Sequence, residues 1–363
     1  MTNSDRLTRT RAQMKSAGVD LLSLPPGDDL FYLLGYSPHA DERPCYLFLT
    51  ASDAVFLVPE LNAGQARGQV DLPFLTYTDA EGPSAALRQA HDRLGKTGRI
   101  SVGDTMRADF LLLLQERWAK GAFVPGAQVM APVRMIKTAD EIEAMRRSAA
   151  TADVATDAAF AASRPGVTEI AVARAVQEAF AAQGISQAGF AIVGGGPNSA
   201  YPHHSSGNRP LQPGEPVLVD LAGRLDGYAS DITRMGYLGE PSARYREVHA
   251  VVERAVRAGL DAVKPGAPLA AVDRSARGVI DAAGYGKYFT HRTGHGIGIT
   301  GHEPPSVTHT NEMPMEEGMV FSVEPGIYFE GEFGIRLEEI VVVTSKGAER
   351  LSKLPREVRV LAN

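Results

Sequence analysis

One cysteine in 363 residues, Cys45, excludes an intrachain disulfide and any metal site built from several thiolates. Basic residues are not in excess either. Lys and Arg number 37 against 43 Asp and Glu, a net charge of −6 with both signs interspersed, which argues against a nucleic-acid or anionic-membrane partner. No apolar run approaches the ~18 residues of a membrane span. The opening stretch MTNSDRLTRTRAQMKSAG reads as an amphipathic helix without an apolar core, so no signal peptide is expected and a cytoplasmic location is. What remains is 44% hydrophobic with Gly and Pro spread throughout, the composition of a globular chain long enough for two domains.

Residues 1–130 alternate helical and strand patterns. After the first helix come the apolar runs VDLLSLPP (19–26), LFYLLGY (30–36), CYLFLTA (45–51) and AVFLVPE (54–60). FLTYTD, a helix through Ala85–Leu94, RISVGD and a helix through Leu111–Trp118 continue the rhythm, which predicts a three-layer α/β domain. His39, Asp41 and His91 form no recognisable constellation, so this part is read as scaffold or oligomer contact. FVPGAQVMAPVRMIK (123–137) is rich in Pro and Gly, lacks helical periodicity and marks a boundary, dividing the chain into 1–134 and 135–363.

Thr138-Ala-Asp-Glu141 fits a capping box opening a helix through Ala162, and Glu169–Gln183, Ala243–Val263 and Leu269–Ala283 follow as helices. The GGG of FAIVGGGPNSAYPHH lacks the Lys-Ser/Thr and the following helix of a phosphate loop. Seven of the nine histidines lie in the second half.

The stretch VLVDLAGRLDGYASDITRM (217–235) reads as a β-hairpin with one acid on each arm, Asp220 and Asp231. A Leu225-Asp226 turn puts the two acids directly opposite; an Asp226-Gly227 turn makes them diagonal neighbours on one face. Two aspartates alone also fit a hairpin whose acids face water. Two carboxylates sharing a site, however, repel unless one is protonated or a cation lies between them. Further on, Glu324 and Glu338 sit in two β-patterned runs joined by a Gly-containing turn, and parity puts Arg336, Glu338 and Ile340 on one face. Glu339 then points to solvent or to a neighbouring element. His295 stands between glycines and, taken singly, reads as a turn histidine.

Together these are four carboxylates and one imidazole without sulfur, a donor set that suits Mn²⁺ or another borderline divalent ion better than structural zinc. One divalent ion would leave two negative charges uncompensated, whereas two would neutralise the site, so two metals are expected. Two-metal sites acidify a water and clamp a carbonyl or phosphoryl oxygen. Without an accompanying Lys/Arg cluster, phosphoryl chemistry is disfavoured.

The motifs DLAGRLDGYASDITR, HRTGHGIGITGHEPP, VEPGIY and GIRLEE together resemble the pita-bread metallopeptidases: prolidase, aminopeptidase P and methionine aminopeptidase. The resemblance covers roughly residues 135–363 and implies a C-terminal pita-bread catalytic domain of mixed α/β class. The N-terminal part looks like the creatinase/prolidase-type first domain, which methionine aminopeptidase lacks. The resemblance further implies metal ligation by Asp220, Asp231, His295, Glu324 and Glu338, with Asp231 and Glu338 bridging. It makes Glu324 the general base for a metal-bridging hydroxide, places His203 near the substrate carbonyl and gives His302 the tetrahedral intermediate or a proton shuttle. Ala222 and Met235 depart from the family's usual Gly and Thr, at positions that supply no ligand. All five ligand positions are intact, unlike in creatinase-like relatives.

The activity implied is hydrolysis of Xaa-Pro bonds in dipeptides, with an aminopeptidase P acting on longer peptides as the alternative. A metal-free binding module and a compatible-solute hydrolase or lyase on the same fold are the remaining readings. Mn²⁺ is the expected metal, with Co²⁺ and Zn²⁺ as substitutes, and a homodimer is the expected assembly. Arg336 is the candidate for the proline carboxylate, although it equally suits a brace behind a ligand carboxylate. His291 is a second candidate substrate contact or a support for the Gly loop. His204 reads as a mere neighbour of His203, Tyr228 and Tyr328 as core-facing, and Trp118 and the methionines as packing.

Overall fold

The computed structural model describes residues 3–95, 97–185 and 189–362. The chain folds as two compact units, Met1–Arg134 and Met135–Asn363. The first runs α1 (Asn3–Ala17), β1 (Leu21–Leu24), α2 (Asp28–Leu34), β2 (Tyr46–Leu49), β3 (Ala54–Pro59), α3 (Glu60–Arg67), β4 (Phe74–Tyr77), α4 (Ser84–Leu94), β5 (Arg99–Val102), α5 (Ala108–Arg117), β6 (Ala122–Pro125) and α6 (Ala127–Met135). Its strands form one mixed sheet in the order β4-β3-β2-β1-β5-β6, with β2 antiparallel to both neighbours. Every residue of β1, β2 and β3 is buried, as expected of a sheet covered on both faces. Leu21, Tyr46, Phe48 and Leu57 pack against Leu87 of α4 and Leu114 of α5, with Trp118 in the same core.

Two stretches differ from expectation. LFYLLGY, grouped with the strand-like runs, forms α2, because a seven-residue apolar run carries no decisive period. Asp28 and Asp29 occupy its first turn and Gly35, at φ 68°, closes it in the left-handed conformation. The boundary segment also holds a helix, α6, despite Pro132 inside it. Proline leaves the carbonyl four residues back without its amide partner. That carbonyl, on Gln128, instead accepts from the Gln13 side chain at 3.3 Å.

The second unit runs α7 (Ala139–Ala162), α8 (Glu169–Ala182), β7 (Phe190–Gly195), β8 (Pro216–Leu225), β9 (Tyr228–Leu238), α9 (Ala243–Asp261), α10 (Leu269–Ala282), β10 (Gly294–Gly296), β11 (Glu303–Val307), β12 (Val320–Val323), β13 (Gly326–Phe329), β14 (Phe333–Arg336), β15 (Glu339–Thr344), β16 (Gly347–Arg350) and β17 (Arg359–Leu361). Thr138 and Glu141 make the capping box that opens α7, a device worth about 1 kcal/mol. Among the described residues of this unit there are three sheets: β17-β9-β8-β7, β11-β10-β12-β15-β16 and the pair β13-β14.

The β8–β9 hairpin is the centre of this unit. Val217, Val219, Leu221 and Ile232 pack with α7 and α8, including Phe180. On the opposite face Leu218, Met235 and Tyr237 pack with α9 and α10. The two acids share that second face, so the hydrophobic pattern that fixes the hairpin's orientation also aims them.

Candidate active site

The hairpin turn is Asp226-Gly227, with φ of 51° and 83°, the left-handed pair that matches the twist of two antiparallel strands. Of the two registers open to the sequence this selects the second. Asp220 lies opposite Thr233 and Asp231 opposite Ala222, leaving the acids diagonal on one face.

Glu324 and Glu338 occupy a break, not a continuous hairpin. Val323 pairs with Glu339 on one side and Gly326 with Arg336 on the other, so the two acids face each other where β12 gives way to β13 and β14 to β15. The break has a physical cause: the Glu324 amide donates to the Thr293 carbonyl at 2.8 Å and the Glu338 amide to the Thr233 carbonyl at 3.3 Å. Each acid is thereby hung on backbone next to another candidate ligand: Thr293 just ahead of the β10 strand of His295, and Thr233 on the β9 strand of Asp231. Arg336 and Glu338 both line the pocket, while Ile340, opposite Ser322 on β12, lies beyond it.

His295 sits in β10 between glycines that cannot be replaced. A Cβ on Gly294 would lie 1.8 Å from the Ser322 carbonyl, and one on Gly296 would lie 2.4 Å from the Pro304 carbonyl. The His295 amide donates to Ser322 Oγ at 2.9 Å, and that hydroxyl donates to Glu324 Oε1 at 2.9 Å.

These elements enclose a pocket of about 500 Å³ whose wall includes all five expected ligands together with His203, His291, Arg292, His302 and Arg336. Ligand atoms of Asp220, Asp231 and Glu338 lie within 4.8 Å of one another, as do those of His295, Glu324 and Glu338. Burial, reinforced by the neighbouring carboxylates, raises Asp231 and Glu338 well above the ordinary carboxylate range. Removal from water pushes Glu324 up to about 7 against the opposing pull of Arg336. His295 is lowered to about 3, first by burial and then by His302, so its ring is neutral. Nδ1 lies 3.1 Å from the Gly296 carbonyl, a contact that calls for the proton there. The Nε2 lone pair then looks at Glu324 Oε1, 3.3 Å away, and Asp231 Oδ2, 3.9 Å away.

Lone pairs facing lone pairs call for cations. Asp220 Oδ1, Asp231 Oδ1 and Glu338 Oε1 are buried without a hydrogen-bond partner, an arrangement costing kilocalories per atom if left so. Five donors, all oxygen or neutral imidazole nitrogen, fit divalent ions. His302 stacks on His295 with ring centroids 3.8 Å apart and offers a nitrogen within reach of Asp231 and His295.

Arg336 is almost wholly buried and heavily engaged. It pairs with Asp220 Oδ2 and donates to the Tyr328 hydroxyl at 2.9 Å, Thr233 Oγ1 at 3.2 Å and the Pro202 carbonyl at 3.2 Å. Of the two roles open to it, bracing a carboxylate from behind fits this geometry; gripping a substrate carboxylate does not. Tyr328 is not simply a core residue, since its hydroxyl also meets His291 Nε2 at 2.8 Å while His291 Nδ1 lies 2.7 Å from the Arg292 carbonyl. Burial lowers His291 to about 4, so it is a neutral link in this chain of contacts. Tyr228 is buried with its hydroxyl on Glu141 at 2.9 Å.

Several supports were not legible beforehand. Of the two surroundings expected for Glu339, it meets the neighbouring element: it is fully buried and pairs with Arg234 of β9 and with Arg350 and Arg356, a triple pairing its position did not foretell. His204 is more than a bystander, because its Nε2 lies 2.8 Å from the buried Glu169. Lys137 and Glu303 form a buried pair at 2.8 Å beside His302. Thr233, opposite Asp220, is the one support that the hairpin register itself could have pointed to.

Comparison with known proteins identifies the family. Residues 143–345 match the model of metallopeptidase family M24, and residues 6–136 match the creatinase/prolidase N-terminal domain. The chain is 37% identical over 363 residues to a probable dipeptidase PepE of Mycobacterium tuberculosis, covering 98% of this chain and 96% of the relative. It is 33% identical over 362 residues to an Xaa-Pro dipeptidase of Lactobacillus delbrueckii subsp. lactis, covering 98% of each. The crystal structure of a prolidase from Thermococcus sibiricus superposes with a TM-score of 0.95 at 31% identity, covering 99% of this chain and all of that one. The chain is a member of metallopeptidase family M24, a metal-dependent hydrolase with a creatinase/prolidase-type N-terminal domain ahead of a pita-bread domain.

Proposed function

We propose that the chain is a dinuclear Xaa-Pro dipeptidase whose catalytic domain is residues 135–363, with residues 1–134 as its N-terminal domain. The observation that carries this is the trio of buried, partnerless carboxylate oxygens on Asp220, Asp231 and Glu338, completed by Glu324 and neutral His295. Asp220, Asp231, His295, Glu324 and Glu338 would hold two divalent ions. When bound, these ions supply Lewis-acid polarisation of the scissile carbonyl and lower the pKa of the attacking water.

The protein's own groups do the rest. Glu324, with Oε1 held by Ser322, takes the water's proton on Oε2 and delivers it to the proline nitrogen as the C–N bond breaks. His203 and His302, both on the pocket wall, donate to the oxygen on which negative charge develops. His302 is lowered by burial and by Arg292, so it is a neutral N–H donor that loses no charge in the step. Arg336 fixes Asp220. The proline carboxylate goes to Arg292, which lines the pocket and donates to Ser306 Oγ at 3.0 Å. Among the described residues no carboxylate lies within ion-pair distance of it.

An oxygen-rich donor set supports Mn²⁺ as the working metal. A homodimer and a cytoplasmic working place complete the proposal and are checked by light scattering and cell fractionation. The function is tested by kcat/KM on Ala-Pro, an Ala-Pro-Xaa tripeptide and Ala-Ala with Mn²⁺ present. The dipeptide Ala-Pro should be fastest and Ala-Ala poor. Faster tripeptide turnover would make the chain an aminopeptidase P, and no preference for proline would defeat both assignments.

A further inference from the structure

Glu169 is the first residue of α8 and is completely buried, yet it lies away from the metal-ligand set. Its carboxylate is fully engaged by one segment. Oε1 accepts from the Gly195 amide at 2.9 Å and from Asn198 Nδ2 at 2.8 Å; Oε2 meets His204 Nε2 at 2.8 Å and the Gly207 amide at 3.2 Å. The donors thus come from both ends and the middle of the stretch 195–207. Thr168 caps the same helix through the Ala171 amide, and a carboxylate in the first turn is favoured by the helix's own field.

That stretch carries His203 and Pro202, both on the pocket wall. Backbone on either side of His203 is held from a different direction. Before it, the Pro202 carbonyl accepts from Arg336. After it, the His204 ring is tied to Glu169. Further along, Ser206 Oγ accepts from the Val193 amide at 2.7 Å and seals the segment against β7. His203 is exposed to the pocket, while His204 beside it is turned inward.

We infer that Glu169 and His204 are positioning residues: their contact sets where His203 stands and thereby how well it meets the substrate carbonyl. This rests on the proposed substrate-facing role of His203. Misplacing a group by an ångström can cost up to about a hundredfold in rate even when the change lies off the chemistry. Removing the His204 contact frees the segment on the C-terminal side of His203 only, so a loss of about tenfold is expected.

The test is a double-mutant cycle on the full-length, metal-loaded protein with Ala-Pro as substrate, reading kcat and KM separately. His204→Leu should lower kcat/KM about tenfold in the otherwise unchanged protein but less than twofold in a His203→Ala background. His204→Gln, which keeps a donor within reach of Glu169, should recover activity to within about threefold. Asn198→Ala removes a different donor from the same carboxylate and should show the same dependence on background, so the inference is tested even if His204→Leu fails to fold. Equal losses with and without His203 would overturn the inference while leaving His203's own role standing. An unchanged kcat/KM in His203→Ala alone would remove that role and the inference with it.

Discussion

Thr233 and Glu338 are joined twice: the Glu338 amide donates to the Thr233 carbonyl, and the Thr233 hydroxyl donates to Glu338 Oε2 at 2.9 Å. The same hydroxyl accepts from Arg336 Nε, so one side chain links the strand of Asp231 to Glu338 and to the arginine behind Asp220. Thr233→Val keeps the shape and removes the hydroxyl. We predict a stability loss of about 1–3 kcal/mol, because two buried polar groups lose a partner. Metal affinity should fall by about 10- to 100-fold, as when groups orienting ligands are removed elsewhere. Denaturant unfolding of the metal-free protein and calorimetric metal titration separate the two effects.

Ligands and transition-state donors should part company on mutation. Asp231→Asn removes a buried carboxylate charge that belongs to two of the candidate ligand groups, so metal content and activity should fall together. His302→Ala should leave metal content near that of the unaltered protein while kcat drops about 10²–10³-fold. Elemental analysis beside turnover decides; a His302→Ala protein stripped of metal would make His302 a ligand, which its closeness to Asp231 permits.

Arg292 carries the assignment of a dipeptidase. Arg292→Leu should raise KM for Ala-Pro at least tenfold and leave turnover of the Ala-Pro amide, which lacks the carboxylate, within about twofold. Equal effects on both substrates would mean that Arg292 acts on the site's field and not on the substrate's terminus.

How far the sequence could be read depended on what kind of contact each feature needs. The β8–β9 hairpin was legible because alternation and Asp226-Gly227 are local signals, and the register that decides how the acids meet was one of two that it allowed. Glu324 and Glu338 were legible as a facing pair, but not the break between strands, because their amides are captured by Thr293 and Thr233, which lie far away in the sequence. Arg336 could not be assigned from its position alone. Only the fold shows Asp220, Tyr328, Thr233 and Pro202 gathered around its guanidinium. LFYLLGY went astray for a simpler reason: seven apolar residues fit a strand and a short buried helix alike, and Gly35 as a C-cap was the signal that favoured the helix.

Stability should depend on pH in a way the metals reverse. Glu324 has a folded-state pKa of about 7 against an ordinary 4.5, a raised value. Its protonated form therefore favours the fold: that contribution is complete below about 4.5 and lost as pH climbs through about 7. At ~1.4 kcal/mol per unit, this is on the order of 3 kcal/mol, and the raised Asp231 and Glu338 act in the same direction. The Tm of metal-free protein should fall between pH 5 and pH 8, and the gap between metal-loaded and metal-free Tm should widen over the same range. A gap that stays constant with pH would mean that the carboxylates are not the groups the metals neutralise.

The account stands most directly on the number of ions the pocket holds. Isothermal titration of metal-free protein with Mn²⁺, paired with elemental analysis after desalting, should give two ions per chain. Chelation should abolish Ala-Pro hydrolysis and Mn²⁺ should restore it. Binding of no more than one ion to fully active protein, or full activity after exhaustive metal removal, would contradict it.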